Sequence, residues 1–276
     1  MPSPVAKTYK LFLGGGFVRS ESARAYLTST GINVPRASRK DLREAVRTAR
    51  GALPGWSSRT AYNRGQVLYR VAEMLSGRSR EFAAALGGGR RAVREVDGCV
   101  AHLVFFAGCA DKLAQLGGSV NQVAGPYFNF TIPEPVGVVA VIGANRPSLS
   151  GMVSHLAAAL CGGNAVIALV SEEDPVPGLL LGEVLSTGDL PPGTVALLSG
   201  LRTELLPWLA SHRDIDLVDC FGCTPEQARD VQTRAADSVK RVVGLHLGGE
   251  ARGEALTPRL ALQSMELKTV WHPVGV

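Results

Sequence analysis

Cysteine is scarce in this sequence: 5 in 276 residues, an odd number at irregular spacing. That pattern argues against the disulfide framework of a small secreted domain. Long apolar runs are missing too. No segment reaches the roughly 18 uninterrupted apolar residues of a membrane helix, and the opening MPSPVAKTYK lacks the apolar stretch of a secretion signal. A reduced, cytoplasmic setting without a membrane partner is the expectation. Strong charge of one sign is also lacking. The net charge is +5, and the basic residues are scattered, with only short clusters at Arg90-Arg91 and in 36–43. No nucleic-acid partner is expected.

What the sequence does have is a core. It is 46% hydrophobic and 19% charged, the balance of a folded chain rather than a disordered one. Its 32 glycines and 16 prolines break it into many short elements. Residues 8–30 read as a small hairpin around Gly14-Gly15-Gly16. Leu42, Ala45, Val46 and Ala49 then recur at helical spacing behind a potential cap, Ser38. A second helix fits 60–76 and a long one 92–116. The stretch GGSVNQVAGPYFNFTIPEPVG reads as a two-stranded ribbon that leaves the main body and returns.

After Gly137 the rhythm changes. GVVAVIGA, NAVIALV, TVALLSG, IDLVDCFG and KRVVGLHLGG are apolar runs separated by helical stretches. Such runs are the mark of buried parallel strands. The alternation predicts a Rossmann-like α/β fold, an open parallel sheet with helices on both faces. Ligands of such sheets bind at the carboxyl ends of the strands. Those ends carry 143–147, 170–174, Ser199-Gly200, 221–224 and 246–250. Cys220 and Cys223 form a C-x-x-C pair with no second pair to complete a metal site, so structural thiols are favoured over chemistry and no metal is expected.

PEPVGVVAVIGAN, AAALCGGNAVIALVSEEDP and DLPPGTVALLSG, in this order and spacing, resemble the aldehyde dehydrogenase superfamily. The likeness runs from KLFLGGGFV to LHLGG and returns at MELKTVWHPVG. It implies a sheet that holds NAD or NADP. It also implies a cysteine thiolate that attacks the aldehyde, oxyanion donors, a carboxylate base and hydride transfer to the nicotinamide.

Motif by motif, the likeness is partial. Asn145 in GANRPSL matches the family's oxyanion asparagine, and it is equally suited to shaping the turn after a strand. The family's K-P-x-E segment is Leu169, Val170, Ser171 and Glu172 here. Glu172 is thus a ribose acceptor or a solvated loop acid. Loss of the lysine weakens the cofactor by an amount on the order of 1–3 kcal/mol. In the F-T-G-S turn Gly222 matches and Cys223 takes the serine position, which makes both weak cofactor contacts. His246 replaces the glutamate base, as a general base near neutral pH or a polar residue of a relict cleft. The family nucleophile lies beyond this motif, and no residue after Glu250 is cysteine. The catalytic domain is therefore expected to be absent.

The resemblance also covers the family's oligomerisation flap, built here from the ribbon and the final strand. Tyr127, Phe128, Phe130, Leu267, Lys268, Val270 and Trp271 are its candidate interface residues, with Trp271 the anchor. The strand equally suits the covering of this chain's own sheet edge. The domain reading is 1–118 for the hairpin and packing helices, 119–135 for the ribbon and 136–250 for the nucleotide-binding-type domain. Residues 251–276 are read as linker and final strand. This shape resembles the shortened second domain of two-domain, class 16 aldehyde dehydrogenases. It implies a non-catalytic subunit that pairs through its flap with a full-length aldehyde dehydrogenase or with itself. Alternatives are an aldehyde dehydrogenase active only with a partner and an NAD-binding sensor.

Overall fold

Continuous apolar runs belong inside a sheet, and the computed structural model puts them there. It describes residues 7–245 and 256–275. His246 and the 250/251 domain boundary lie outside the described residues.

The chain opens with a hairpin, β1 (Leu11–Leu13) and β2 (Gly16–Val18). Gly14 and Gly15 turn it with φ of 60° and 84°, and a side chain at Gly15 would meet Pro192. A second small hairpin, β3 (Ala25–Leu27) and β4 (Asn33–Pro35), follows within the range read as one. Helix α1 (Arg39–Ser57) starts at a capping box in which Ser38 and Asp41 satisfy each other's backbone N–H groups. α2 (Ala61–Gly77) is capped by Thr60. A short α3 (Ser79–Ala85) was not expected. The long predicted helix begins earlier, as α4 (Gly89–Cys109), then tightens through a 3-10 turn into α5 (Leu113–Gly117). The run 89–117 is long enough, and apolar enough in part, to cross a membrane by length and composition alone. Here its Val96, Cys99, Leu103 and Phe106 are buried in the core.

The ribbon is β5 (Ser119–Asn121) and β6 (Tyr127–Pro135). The parallel part follows as β7 (Val138–Ile142), α6 (Ser150–Cys161), β8 (Ala165–Leu169), α7 (Val176–Leu185) and β9 (Val195–Leu198). It continues through α8 (Arg202–Ser211), β10 (Leu217–Asp219), α9 (Pro225–Ala236) and β11 (Arg241–Val243). The sheet order is β11-β10-β7-β8-β9-β1-β2 among the described residues. Its first five strands are parallel. β1 joins antiparallel through Phe12 and Leu197, so the opening hairpin extends the main sheet, a pairing its sequence did not announce.

Alternate residues of each strand face opposite layers. Val139, Val141, Val166 and Ala168 pack with α2, α4, α6 and α7. Val138, Ala140, Ile142 and Ile167 pack with α1, α8 and α9. Helices therefore cover both faces, as expected, and α6 is buried almost throughout. Chain order reverses between β7 and β10, and that reversal creates a crevice at their carboxyl ends.

The C-terminal segment is more than a linker and a strand. Leu260 and Ala261 are buried, and they anchor a short helix, α10 (Pro258–Gln263), against α6. β12 (Met265–Pro273) then pairs with β6 along nine residues, from Met265 opposite Pro135 to Pro273 opposite Tyr127. One buried side chain joins this segment to the sheet domain. Asn164 accepts from Gly137 N–H at 2.9 Å and donates to the Ala159 and Ser264 carbonyls, each at 3.0 Å. Asn164→Ala leaves those buried groups without partners, and a loss of roughly 2–4 kcal/mol is expected. Urea unfolding measures it. A change under about 0.5 kcal/mol, the size of a neutral surface substitution, would contradict the assigned role.

Candidate functional site

The turns after β7 and β10 meet at the switch point. A side chain at Gly222 would lie 2.4 Å from Ala144 N and from Gly143 C, so only glycine permits this contact. Gly222 N–H donates to Ile142 O at 3.1 Å, and Cys223 N–H donates to Cys220 O at 2.8 Å. Thr224 and Gln227 form a capping box that starts α9 just beyond.

Of the expected site residues, Asn145, Glu172, Gly222 and Cys223 come together here. The residue that gathers them is Arg202, at the start of α8, which the sequence reading did not single out. Its backbone N–H donates to Glu172 Oε2 at 2.8 Å. Its guanidinium turns back over the strand ends. Nη1 donates to Gly222 O at 2.6 Å, and Nη2 donates to Gly143 O and, at 3.2 Å, to Asn145 Oδ1. The residue is only 4% exposed, and Nε is buried with no partner among the described residues. Burial lowers its pKa, opposed in part by Cys223, Glu172 and Glu173.

Asn145 is committed to the turn. Its Oδ1 accepts from Glu172 N–H at 3.1 Å, and its Nδ2 donates to Glu173 Oε1 at 2.9 Å. These bonds suit the turn-shaping role. Glu172 Oε2 caps α8 through the Arg202 N–H. Tyr26, whose buried hydroxyl lacks a partner among the described residues, is pushed above its ordinary pKa by burial and then by the Glu172 charge.

Behind the crevice sits a second arrangement that the sequence reading passed over. His155 Nδ1 and Asp219 Oδ2 share a 2.5 Å hydrogen bond, both buried, and Phe221 stacks on the imidazole at 3.9 Å. The available signal was a carboxylate and a histidine inside otherwise apolar elements. Beside it, Glu95 Oε1 accepts from Leu149 and Ser150 N–H and so caps α6. An open cleft of about 630 Å³ runs past Glu95, Ser148, Glu173 and Asp174, with Arg91 and Arg146 on the same lining. Among the described residues, no group of His, Cys, Asp and Glu is arranged to hold a metal ion.

Several polar groups of the crevice have intramolecular partners: the Gly143 and Gly222 carbonyls, the first N–H of α8 and one oxygen of Glu172. His246 lies outside the described residues.

The seven candidate interface residues all lie on the three-stranded flap, ordered β12-β6-β5, but on two faces. By register, Tyr127, Leu267 and Trp271 share one face, where Tyr127 meets Trp271 edge-on at 5.7 Å. Phe128, Phe130, Lys268 and Val270 share the other. Strand alternation divides them between the two faces. Leu267 and Trp271 are exposed by 59% and 58%, large values for such side chains.

The thiols differ in the same graded way. Cys99, Cys109, Cys161 and Cys220 are buried, and Cys223 alone is partly exposed. Burial raises the Cys99 thiol and pushes Cys161 up to about 12. Cys223 is lowered, first by its hydrogen bond with Cys220 and then by the Arg202 charge, against desolvation. Iodoacetamide at neutral pH should therefore label Cys223 first, as mapped by peptide mass spectrometry. Equal labelling of Cys99 or Cys161 in the folded protein would refute this ranking.

A model of the aldehyde dehydrogenase family matches residues 19–253. The putative aldehyde dehydrogenase DhaS of Bacillus subtilis is 29% identical over 276 residues, covering 95% of this chain and 53% of DhaS. Human retinal dehydrogenase 2 is 32% identical over 272 residues, covering 91% of this chain and 51% of the enzyme. Among solved structures, PnpE from Pseudomonas sp. WBC-3 superposes with a TM-score of 0.78 at 25% identity, over 86% of this chain and 50% of PnpE. A complex of PnpE with nicotinamide adenine dinucleotide superposes equally well, at 0.78 and 26% identity. The chain spans about half the length of the relatives it matches. By family match, sequence identity and Rossmann-type fold, it belongs to the aldehyde dehydrogenase family.

Proposed function

We propose that this chain is a non-catalytic member of its family, a subunit that assembles through its β flap with a full-length NAD-dependent aldehyde dehydrogenase. One observation carries the proposal. The flap is complete within the chain, with β12 paired to β6 along its length, yet both its faces present large apolar side chains to solvent. Tyr127, Leu267 and Trp271 form one patch. Phe128, Ile132 and Val270 form the other, and Val120 of β5 adds to it through its pairing with Phe130. Paired aromatic and aliphatic anchors of this kind supply most of the energy of protein interfaces.

The cysteines support the absence of chemistry in this chain. Four are buried, and the fifth, Cys223, sits in the crevice turn beside Arg202 rather than in an open cleft. The cofactor is accordingly expected to bind weakly at best, and the partner to supply the active site.

Co-expression with a full-length aldehyde dehydrogenase of the same genome, followed by light scattering, tests assembly. A mixed oligomer is expected. Trp271→Glu and Leu267→Glu should leave the fold intact and weaken that assembly by about 30-fold or more, the scale of an interface hot spot. A chain that stays alone, or pairs only with itself, would sink the proposal.

A further inference from the structure

The crevice between β7 and β10 is where an open α/β sheet receives its ligand, at the strand carboxyl ends. A nucleotide seated there needs several things. Backbone turns must remain accessible to it, a helix start must offer free N–H groups to phosphate, and a carboxylate must be free for a ribose hydroxyl. In this chain one residue engages part of each. The Arg202 N–H, at the start of α8, is taken by Glu172 Oε2, which ties one oxygen of that carboxylate inward. The Arg202 guanidinium spans the two turns, reaching Gly222 O on one side and Gly143 O and Asn145 Oδ1 on the other. It adds a longer bond to Gln227 Oε1 at 3.4 Å, which ties it to the first turn of α9.

The lock is built rather than incidental. Arg202 is 4% exposed, so its side chain is packed in place and does not rest on the surface. The turns beneath it are in close contact at Gly222. Among the described residues, no salt bridge to a carboxylate holds the guanidinium. Its bonded acceptors are two backbone carbonyls and two side-chain amides, with the Glu172 and Glu173 charges nearby. Swinging it out would strip those buried carbonyls of their donors, a strong penalty against opening. A pyrophosphate is attracted to a guanidinium, but this one is directed inward at carbonyl oxygens.

We infer that Arg202 is an internal ligand of the nucleotide crevice, so that this chain does not bind NAD or NADP, and that removing the side chain reopens the crevice. The inference is independent of the flap proposal, because assembly and nucleotide binding are read separately.

Titration calorimetry of the purified chain with NAD, NADP and ADP-ribose tests it. The wild-type chain should show no saturable binding up to about 5 mM, a concentration at which any useful family-type site would fill. Arg202→Gly and Arg202→Ala should each gain at least tenfold in affinity for NAD, with circular dichroism confirming that they fold. Saturable micromolar binding by the wild-type chain would overturn the inference. Folded variants that stay blind to NAD would overturn it as well, because something other than Arg202 would then close the crevice. If neither variant folds, the wild-type titration still decides between a closed and an open crevice.

Discussion

Carbonyl oxygens at the carboxyl ends of buried parallel strands must find donors, and in this protein Arg202 supplies them. That requirement organises the whole switch point. The turn after β7 and the turn after β10 are drawn together closely enough that only glycine fits at 222. The guanidinium bridges their carbonyls, and the backbone of the same residue holds Glu172. A surface that in an open α/β sheet faces a ligand is here completed from within. Buried polar groups tolerate no vacancy, so an internal partner in this position competes directly with any cofactor.

The opposite holds at the flap. There the backbone is satisfied, strand by strand, and the side chains are left outward. β12 completes the pairing of β6, and Asn164 and α10 hold that strand to the sheet domain. Arg241 adds a second tie, donating to Met265 O at 2.6 Å. The flap is thus rigidly placed while its apolar faces stay open. Inward closure at the crevice and outward exposure at the flap suit a molecule that works by contact with a partner more than by chemistry of its own.

Much of the fold was legible in the sequence because its signals are local. Continuous runs such as VVAVI mark buried strands, Ser38 and Thr60 mark helix starts, and Gly14-Gly15 marks a tight hairpin. The crevice residues Asn145, Glu172, Gly222 and Cys223 were legible through their order along the chain. What they do was not. The capping of α8 by Glu172 was not legible because its partner, Arg202, lies thirty residues on and carries no motif. His155 and Asp219 were missed for the same reason, as each alone looks like a stray polar residue in an apolar element. Long-range pairing hid the rest. The join of β1 to β9 depends on a single register between distant segments, and α10 is short enough to pass for linker. The flap residues were found as a set, but strand alternation divides them between two faces.

The state of the Arg202 side chain itself tests the central claim most directly. In a ¹⁵N NMR spectrum, assigned with Arg202→Lys, the Arg202 Nε–H should give a distinct resonance protected from exchange with water. It should keep its position when NAD is added in excess. A resonance that exchanges rapidly, or that moves in step with NAD concentration, would show the guanidinium free to leave and the crevice open to its cofactor.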